Sequence, residues 1–234
     1  MITMGQILIL GAFMLLSFIV SSQLKSRFRK YAKIPVNYGK TGRDIAEQML
    51  RDNGIHDVSV VSVEGQLTDH YNPMNKTVNL SRDVYYSNSV SAAAVAAHEC
   101  GHAVQHATAY APLRLRTALV PVQNISARVL NFLFIAMFFG AFIFQGLLSF
   151  DTALIVIIAC YGVITLVALV TLPVEINASQ RALAWLNSSN VTGYDTAPQA
   201  RDALKWAAYT YVVAALSSLA MLLYYIMIFM GRRD

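Results

Sequence analysis

Ala96-Ala97-His98-Glu99-Cys100-Gly101-His102-Ala103 is an H-E-x-x-H pattern set in an alanine-rich run that reads as a helix. His98 and His102, four apart, share a helix face and can turn two ring nitrogens toward one ion. Glu99 is rotated from them by about 100°. It lies beside that ion rather than on it, where a carboxylate can take a proton from water activated by the metal. The flanks, Ala92 to Ala97 and Ala103-Val104, are small and apolar. They suit a helix buried in a core, not three polar residues on a wet surface. Cys100 falls on the far side of the helix and reads as a small packed residue rather than a competing soft ligand.

Outward from the motif the chain turns apolar. Of its 234 residues 56% are hydrophobic and 13% charged, too apolar for a soluble domain. Ile2 to Val20, Val129 to Phe150, Thr152 to Leu172 and Ala207 to Met230 are each long enough to span a bilayer. The first has no basic start, so it reads as a retained helix rather than a cleaved signal. Only Ser149, Phe150 and Asp151 part the second and third, which predicts a tight helical hairpin. Trp206, Tyr209, Tyr211, Tyr224 and Tyr225 flank the last as interfacial anchors. Lysine and arginine outnumber the acids 18 to 13. The excess, beginning with Lys25, Arg27, Arg29, Lys30 and Lys33, lies beside the spans. It speaks for topology and attraction to anionic lipid, not for nucleic-acid binding. The positive-inside rule then puts both polar regions in the cytoplasm, against the two arginines of the tail, Arg232 and Arg233. Of the two cysteines, Cys100 sits in the motif and Cys160 in a span, so no disulfide is expected.

The layout this predicts is a transmembrane helix at 1–21, a domain carrying the motif at 22–128, a transmembrane hairpin at 129–172, a second helical stretch with a loop at 173–206, and a last span with a short tail at 207–234. Within the first polar region Thr41 and Asp44 open a helix as a capping pair, and Gly54 closes it. Asp57 to Val63 reads as a strand. Gln66 to Tyr71 and Lys76 to Leu80 read as a hairpin around Asn72-Pro73-Met74-Asn75. The arm Lys76 to Leu80 is either an edge strand able to pair with an extended peptide or an ordinary sheet strand. The motif helix follows over Ser89 to His106. Leu113 to Arg128 is amphipathic, lying along the membrane surface or packed on the domain. Val174 to Leu186 is helical again.

A catalytic zinc takes three protein ligands and keeps one position open. His106 continues the histidine row, but it stands about 12 Å from His98 along an unbroken helix, too far to share one ion comfortably. The pattern with a third histidine on the same stretch needs a glycine turn, and Gln105 and Thr108 stand where that glycine and histidine would be. Glu175 is the better third ligand. Two membrane crossings separate it from His102, so both lie on one side of the bilayer, and two histidines with a glutamate make a hydrolytic zinc set. Pro173, two residues before it, suits the start of a helix.

His98 to His102, the stretch Glu175-Ile176-Asn177-Ala178-Ser179-Gln180-Arg181-Ala182-Leu183 and the segment Leu67-Thr68-Asp69-His70-Tyr71-Asn72-Pro73 resemble the YugP-type neutral zinc metallopeptidases of bacterial membranes. The resemblance covers nearly the whole chain and is more distant to the HtpX-like gluzincins. It implies a fold that is mainly α and integral to the membrane, with about four transmembrane helices and a zincin-like α+β cytoplasmic domain carrying a small β-hairpin or sheet. It implies a zinc-dependent endopeptidase in the cell membrane, with Zn2+ on His98, His102 and Glu175 and Glu99 as general base. The HtpX group places an aspartate four residues after the ligand glutamate to orient a histidine; here that place is Ser179, and either Ser179 or Asn177 takes the role. His70 and Arg181 are candidates for stabilising the oxyanion, with a surface salt bridge or a loop contact as the alternative role of each. The partners implied are a peptide or membrane-protein substrate and the lipid bilayer, with a homo-oligomer or companion membrane proteins open and no nucleic acid. The competing reading is a non-catalytic zinc-binding scaffold or chaperone-like partner. Structural zinc sites are usually closed by four ligands, often cysteine, and only three good ligands are found.

Overall fold

The computed structural model describes residues 4–140 and 149–231, and among these residues are seven α-helices, one 3-10 turn (Asn37–Gly39) and three strands. Their order is α1 (Met4–Tyr31), α2 (Gly42–Asp52), β1 (Ser59–Val63), β2 (His70–Asn72), β3 (Thr77–Ser81), α3 (Arg82–Tyr85), α4 (Val90–Ala107), α5 (Ala111–Gly140), α6 (Phe150–Ser188) and α7 (Ala197–Met230). The chain is mainly helical with one small sheet, and α1, α6, α7 and the stretch Ala111–Ala136 of α5 are long and apolar enough to cross a membrane.

The local starts follow from side-chain chemistry. Thr41 and Asp44 form the expected capping box on α2, the Thr41 hydroxyl accepting from the Asp44 N–H and the Asp44 carboxylate accepting from the Thr41 N–H at 2.9 Å. The Ser89 hydroxyl accepts from the Ala92 N–H and caps α4. Asn72 accepts from the backbone N–H groups of Met74 and Asn75, which turns the chain from β2 into β3.

Two expected helix boundaries do not exist. The amphipathic stretch from 113 and the apolar stretch from 129 are one helix, α5, with Pro121 inside it. The span at 152–172 and the helical stretch at 174–186 are likewise one helix, α6, with Pro173 inside it rather than at its start. Proline removes a single ladder bond, and several apolar turns on either side hold the helix through it. The later part of the expected 129–150 span, residues 141–148, and the tail arginines Arg232 and Arg233 lie outside the described residues.

The sheet decides between the two readings of the arm Lys76 to Leu80. Its order is β1-β3-β2, with β3 parallel to β1 and antiparallel to β2. The arm Lys76 to Leu80 is therefore the central strand, paired on both sides, and offers no free edge. Of the expected first arm only His70 and Tyr71 pair, joined by Asn72 from the expected turn; residues 66–69 stand outside the sheet.

The contacts divide the chain into two compact units. One comprises Met1–Ile19, Leu115–Leu172 and Thr210–Asp234. Its apolar cluster joins Leu130 of α5, Leu154, Ile157 and Cys160 of α6, and Met221 and Tyr225 of α7. Elsewhere its helices leave large apolar side chains exposed, Met14 and Phe18 each 71%, as expected of surfaces that face lipid. The other unit comprises Val20–Arg114 and Pro173–Tyr209. Its core packs Ile45, Met49 and Leu50 of α2 and Val78 and Leu80 of β3 with the alanine run of α4 and with Ala182, Leu186, Ala200 and Leu204. The end of α1 is tied to the start of α7 in this unit, where Arg27 and the Tyr31 hydroxyl both donate to Asp202, the hydroxyl at 2.6 Å.

Candidate metal centre

The alanines of α4 let a polar cluster form inside this second core. Small side chains allow close approach, and Gly101 marks the closest point. A Cβ built on Gly101 would lie 2.6 Å from the Ala178 carbonyl oxygen of α6. This contact brings the turn of α6 that begins with Glu175 against the histidine face of α4.

There the sequence-expected ligands meet. One ligand atom each from His98, His102 and Glu175 lies within 4.8 Å of the others. Glu175 Oε2 is 3.3 Å from His98 Nε2 and 3.6 Å from His102 Nε2. Ligand atoms on a tetrahedral zinc with bonds of about 2.0–2.2 Å stand roughly 3.3–3.5 Å apart, which matches the two separations to Glu175, and all three atoms lie within 4.8 Å of one another. The Glu175 side chain is 3% exposed and the two imidazoles 13% and 11%. Burial works against the charged form of His102. The nearby Glu175 carboxylate, the charge of Glu99 and the contact with Gln105 outweigh it and raise its pKa.

Each imidazole is held from behind. Ser179 Oγ lies 3.1 Å from His98 Nδ1, so Ser179 and not Asn177 contacts that ring. Gln105 Oε1 lies 3.0 Å from His102 Nδ1. Such contacts fix which nitrogen faces a metal. Glu99 stands on the adjoining face of α4, buried, and its Oε2 accepts from the Tyr71 backbone N–H at 3.0 Å. Edge strand β2 thus aims this carboxylate. The lead-in to β2 is itself fixed, because Asp69 accepts from the Ser81 N–H at 2.7 Å and from the Ser81 hydroxyl.

The remaining expected residues lie around this centre. His106 Nδ1 is 2.9 Å from the Tyr71 hydroxyl and takes no place in the three-atom cluster. His70 is exposed and its Nδ1 contacts the Thr68 carbonyl at 2.8 Å. Arg181 is half-buried and its Nε donates to Asn177 Oδ1 at 2.8 Å. Sequence reasoning missed Gln105 and the Tyr71 N–H. A glutamine in an otherwise small and apolar helix turn was a visible signal; a backbone donor leaves none.

A helix-borne pair of histidines and a carboxylate returning from a later helix form a group that could hold a metal ion, with a second carboxylate on the adjoining helix face. The chain matches over residues 6–230 the family described as "Putative neutral zinc metallopeptidase", and it belongs to that family. It is also 41% identical over 222 residues to "Putative membrane protease YugP" of Bacillus subtilis (strain 168), covering 94% of each chain. No solved structure matches. Zinc is the cofactor that the family and the donor set agree on.

Proposed function

We propose that this chain is a multi-pass membrane zinc endopeptidase of the gluzincin type. His98, His102 and Glu175 hold the metal and Glu99 is the general base. The observation that carries the reading is the spacing of the three ligand atoms with the Glu99 carboxylate fixed beside them. Zinc in such a set supplies a Lewis acid that polarises a peptide carbonyl and brings the pKa of water toward neutrality. Glu99 takes the proton from the attacking water and hands it to the leaving amine. The Tyr71 N–H keeps one Glu99 oxygen engaged and leaves the other for that proton. His70 and Arg181 are the proposed donors to the developing oxyanion. His70 precedes the residue that bonds Glu99, and Arg181 carries a permanent charge on the turns of α6 after Glu175. The basic residues beside the spans support a cytoplasmic position for the zincin-like domain and its centre. The substrate is an unfolded peptide or a membrane protein in the same bilayer.

The test uses the full chain in detergent with an unfolded protein as substrate. Glu99→Gln keeps about one zinc per chain and loses cleavage by roughly 10²–10⁴-fold. Glu175→Ala loses zinc affinity by more than the roughly 10–100-fold that outer partners contribute. Full cleavage by Glu99→Gln, or undiminished zinc binding by Glu175→Ala, would refute the assignment.

A further inference from the structure

Behind the ligands runs a chain of hydrogen bonds whose direction is fixed at one end. The Arg181 guanidinium has donors only. Its Nε lies 2.8 Å from Asn177 Oδ1, so that oxygen accepts. Gln105 Nε2 reaches the same oxygen at 3.0 Å and the Val174 carbonyl at 2.8 Å. Two acceptors on that side require the glutamine to present its NH2 there. Its Oε1 then faces His102 Nδ1 at 3.0 Å, and an amide oxygen can only accept. Nδ1 therefore carries a hydrogen, and Nε2, on the side of Glu175, is the nitrogen left for a metal. Amide orientation is normally ambiguous from heavy atoms; here the arginine removes the ambiguity. Gln105 is 0% exposed, where an unmatched amide would cost about 1–3 kcal/mol. The other imidazole has no such rectifier, because the Ser179 hydroxyl can donate or accept.

We propose that Arg181, Asn177 and Gln105 are positioning residues for the metal centre: a one-way relay that sets the tautomer of His102 and ties it to the turn of α6 carrying Glu175. The inference rests on the reading of His98, His102 and Glu175 as zinc ligands. Arg181 thereby gains a duty separate from any contact with substrate, since the relay uses only its Nε.

The relay is tested by zinc affinity, measured in the metal-free full chain by competition with a chromophoric chelator. The cobalt-loaded chain supplies a spectrum that reports ligand geometry. Gln105→Met, Arg181→Met and Asn177→Leu each weaken zinc binding by about 10–100-fold and alter the cobalt spectrum. Asn177→Asp still accepts from both Arg181 and Gln105, so it keeps affinity within about threefold of the unaltered chain and keeps its spectrum. That contrast separates direction from mere packing, since leucine and aspartate disturb the same site. Equal behaviour of Asn177→Asp and Asn177→Leu overturns the relay. So does wild-type zinc affinity in Gln105→Met, or lost turnover at unchanged affinity in Arg181→Met, which leaves arginine with the oxyanion role alone. An unaltered chain that binds no zinc refutes the functional reading itself, and the relay with it.

Discussion

Cys100 lies between the two histidines in sequence and still stands apart from the ion site. Its thiol points away from the ligand face, fully buried, toward the Ala46 carbonyl at 3.6 Å. Burial pushes its pKa well up, with the Glu99 charge adding to the effect, so it is no thiolate and no ligand. In a Cys160→Ala background the folded chain is therefore inert to a water-soluble disulfide reagent until it unfolds. Cys100→Ala keeps its zinc stoichiometry; lost zinc in that variant would show that the thiol does hold the metal. The same local geometry explains what was readable in advance. His98, Glu99 and His102 sit within two helical turns, and spacing alone fixes their directions. Glu175 was legible through a different route, the parity of membrane crossings. Gln105 escaped because its role depends on what α6 brings to it, and the Tyr71 N–H because any residue there would offer the same donor.

At the scale of elements the sequence pattern located the helices and misjudged where they end. The change of pattern after Arg128 and the proline at 173 read as boundaries, yet α5 runs on past Arg128 and α6 through Pro173, where apolar turns on both sides outweigh one missing ladder bond. For the site the consequence is favourable: Glu175 sits inside a continuous helix, not on a frayed start, so α4 and α6 meet as two rigid rods. Pairing order in the sheet was not legible either. A parallel partner for β3 arrives from β1, beyond the turn, and alternation within one strand cannot announce it. The decisive contact between the rods is Gly101 against Ala178. A methyl group on Gly101 would meet backbone atoms at 2.6–3.1 Å, not a side chain that can swing aside. Gly101→Ala accordingly forces α4 and α6 apart. It costs about 1–3 kcal/mol of stability and weakens zinc binding along with it, because the histidines and Glu175 move in opposite directions. Gly162→Ala, on α6 with no atom within 4 Å of the added carbon, is the control and leaves both unchanged. Zinc titration alongside denaturant unfolding reads the two effects, and a Gly101→Ala chain with full zinc affinity would show that this contact does not set the site.

In the molecule as a whole, chemistry and apolar bulk are carried by different units built from the same helices. α1, α5, α6 and α7 each contribute residues to both, while the sheet and α4 belong to the unit that holds the centre. That unit has a core rich in alanine, which buries less apolar area per residue than leucine or phenylalanine. It also draws a carboxylate and two imidazoles into its interior, where desolvation costs free energy. A bound ion offsets that cost in the folded chain only. At a free zinc concentration a hundredfold above the dissociation constant, mass action contributes about 2.7 kcal/mol. Removing zinc with a chelator should therefore lower the unfolding temperature of the motif-bearing unit by several degrees, followed through Trp185, whose indole N–H donates to Asp52 at 3.0 Å in that unit. Glu99→Gln, which keeps the ligands, responds to the chelator like the unaltered chain. Glu175→Ala starts from the lowered temperature and does not respond. Equal unfolding temperatures for the zinc-loaded and chelator-treated chain would mean that the ion does not bridge α4 and α6.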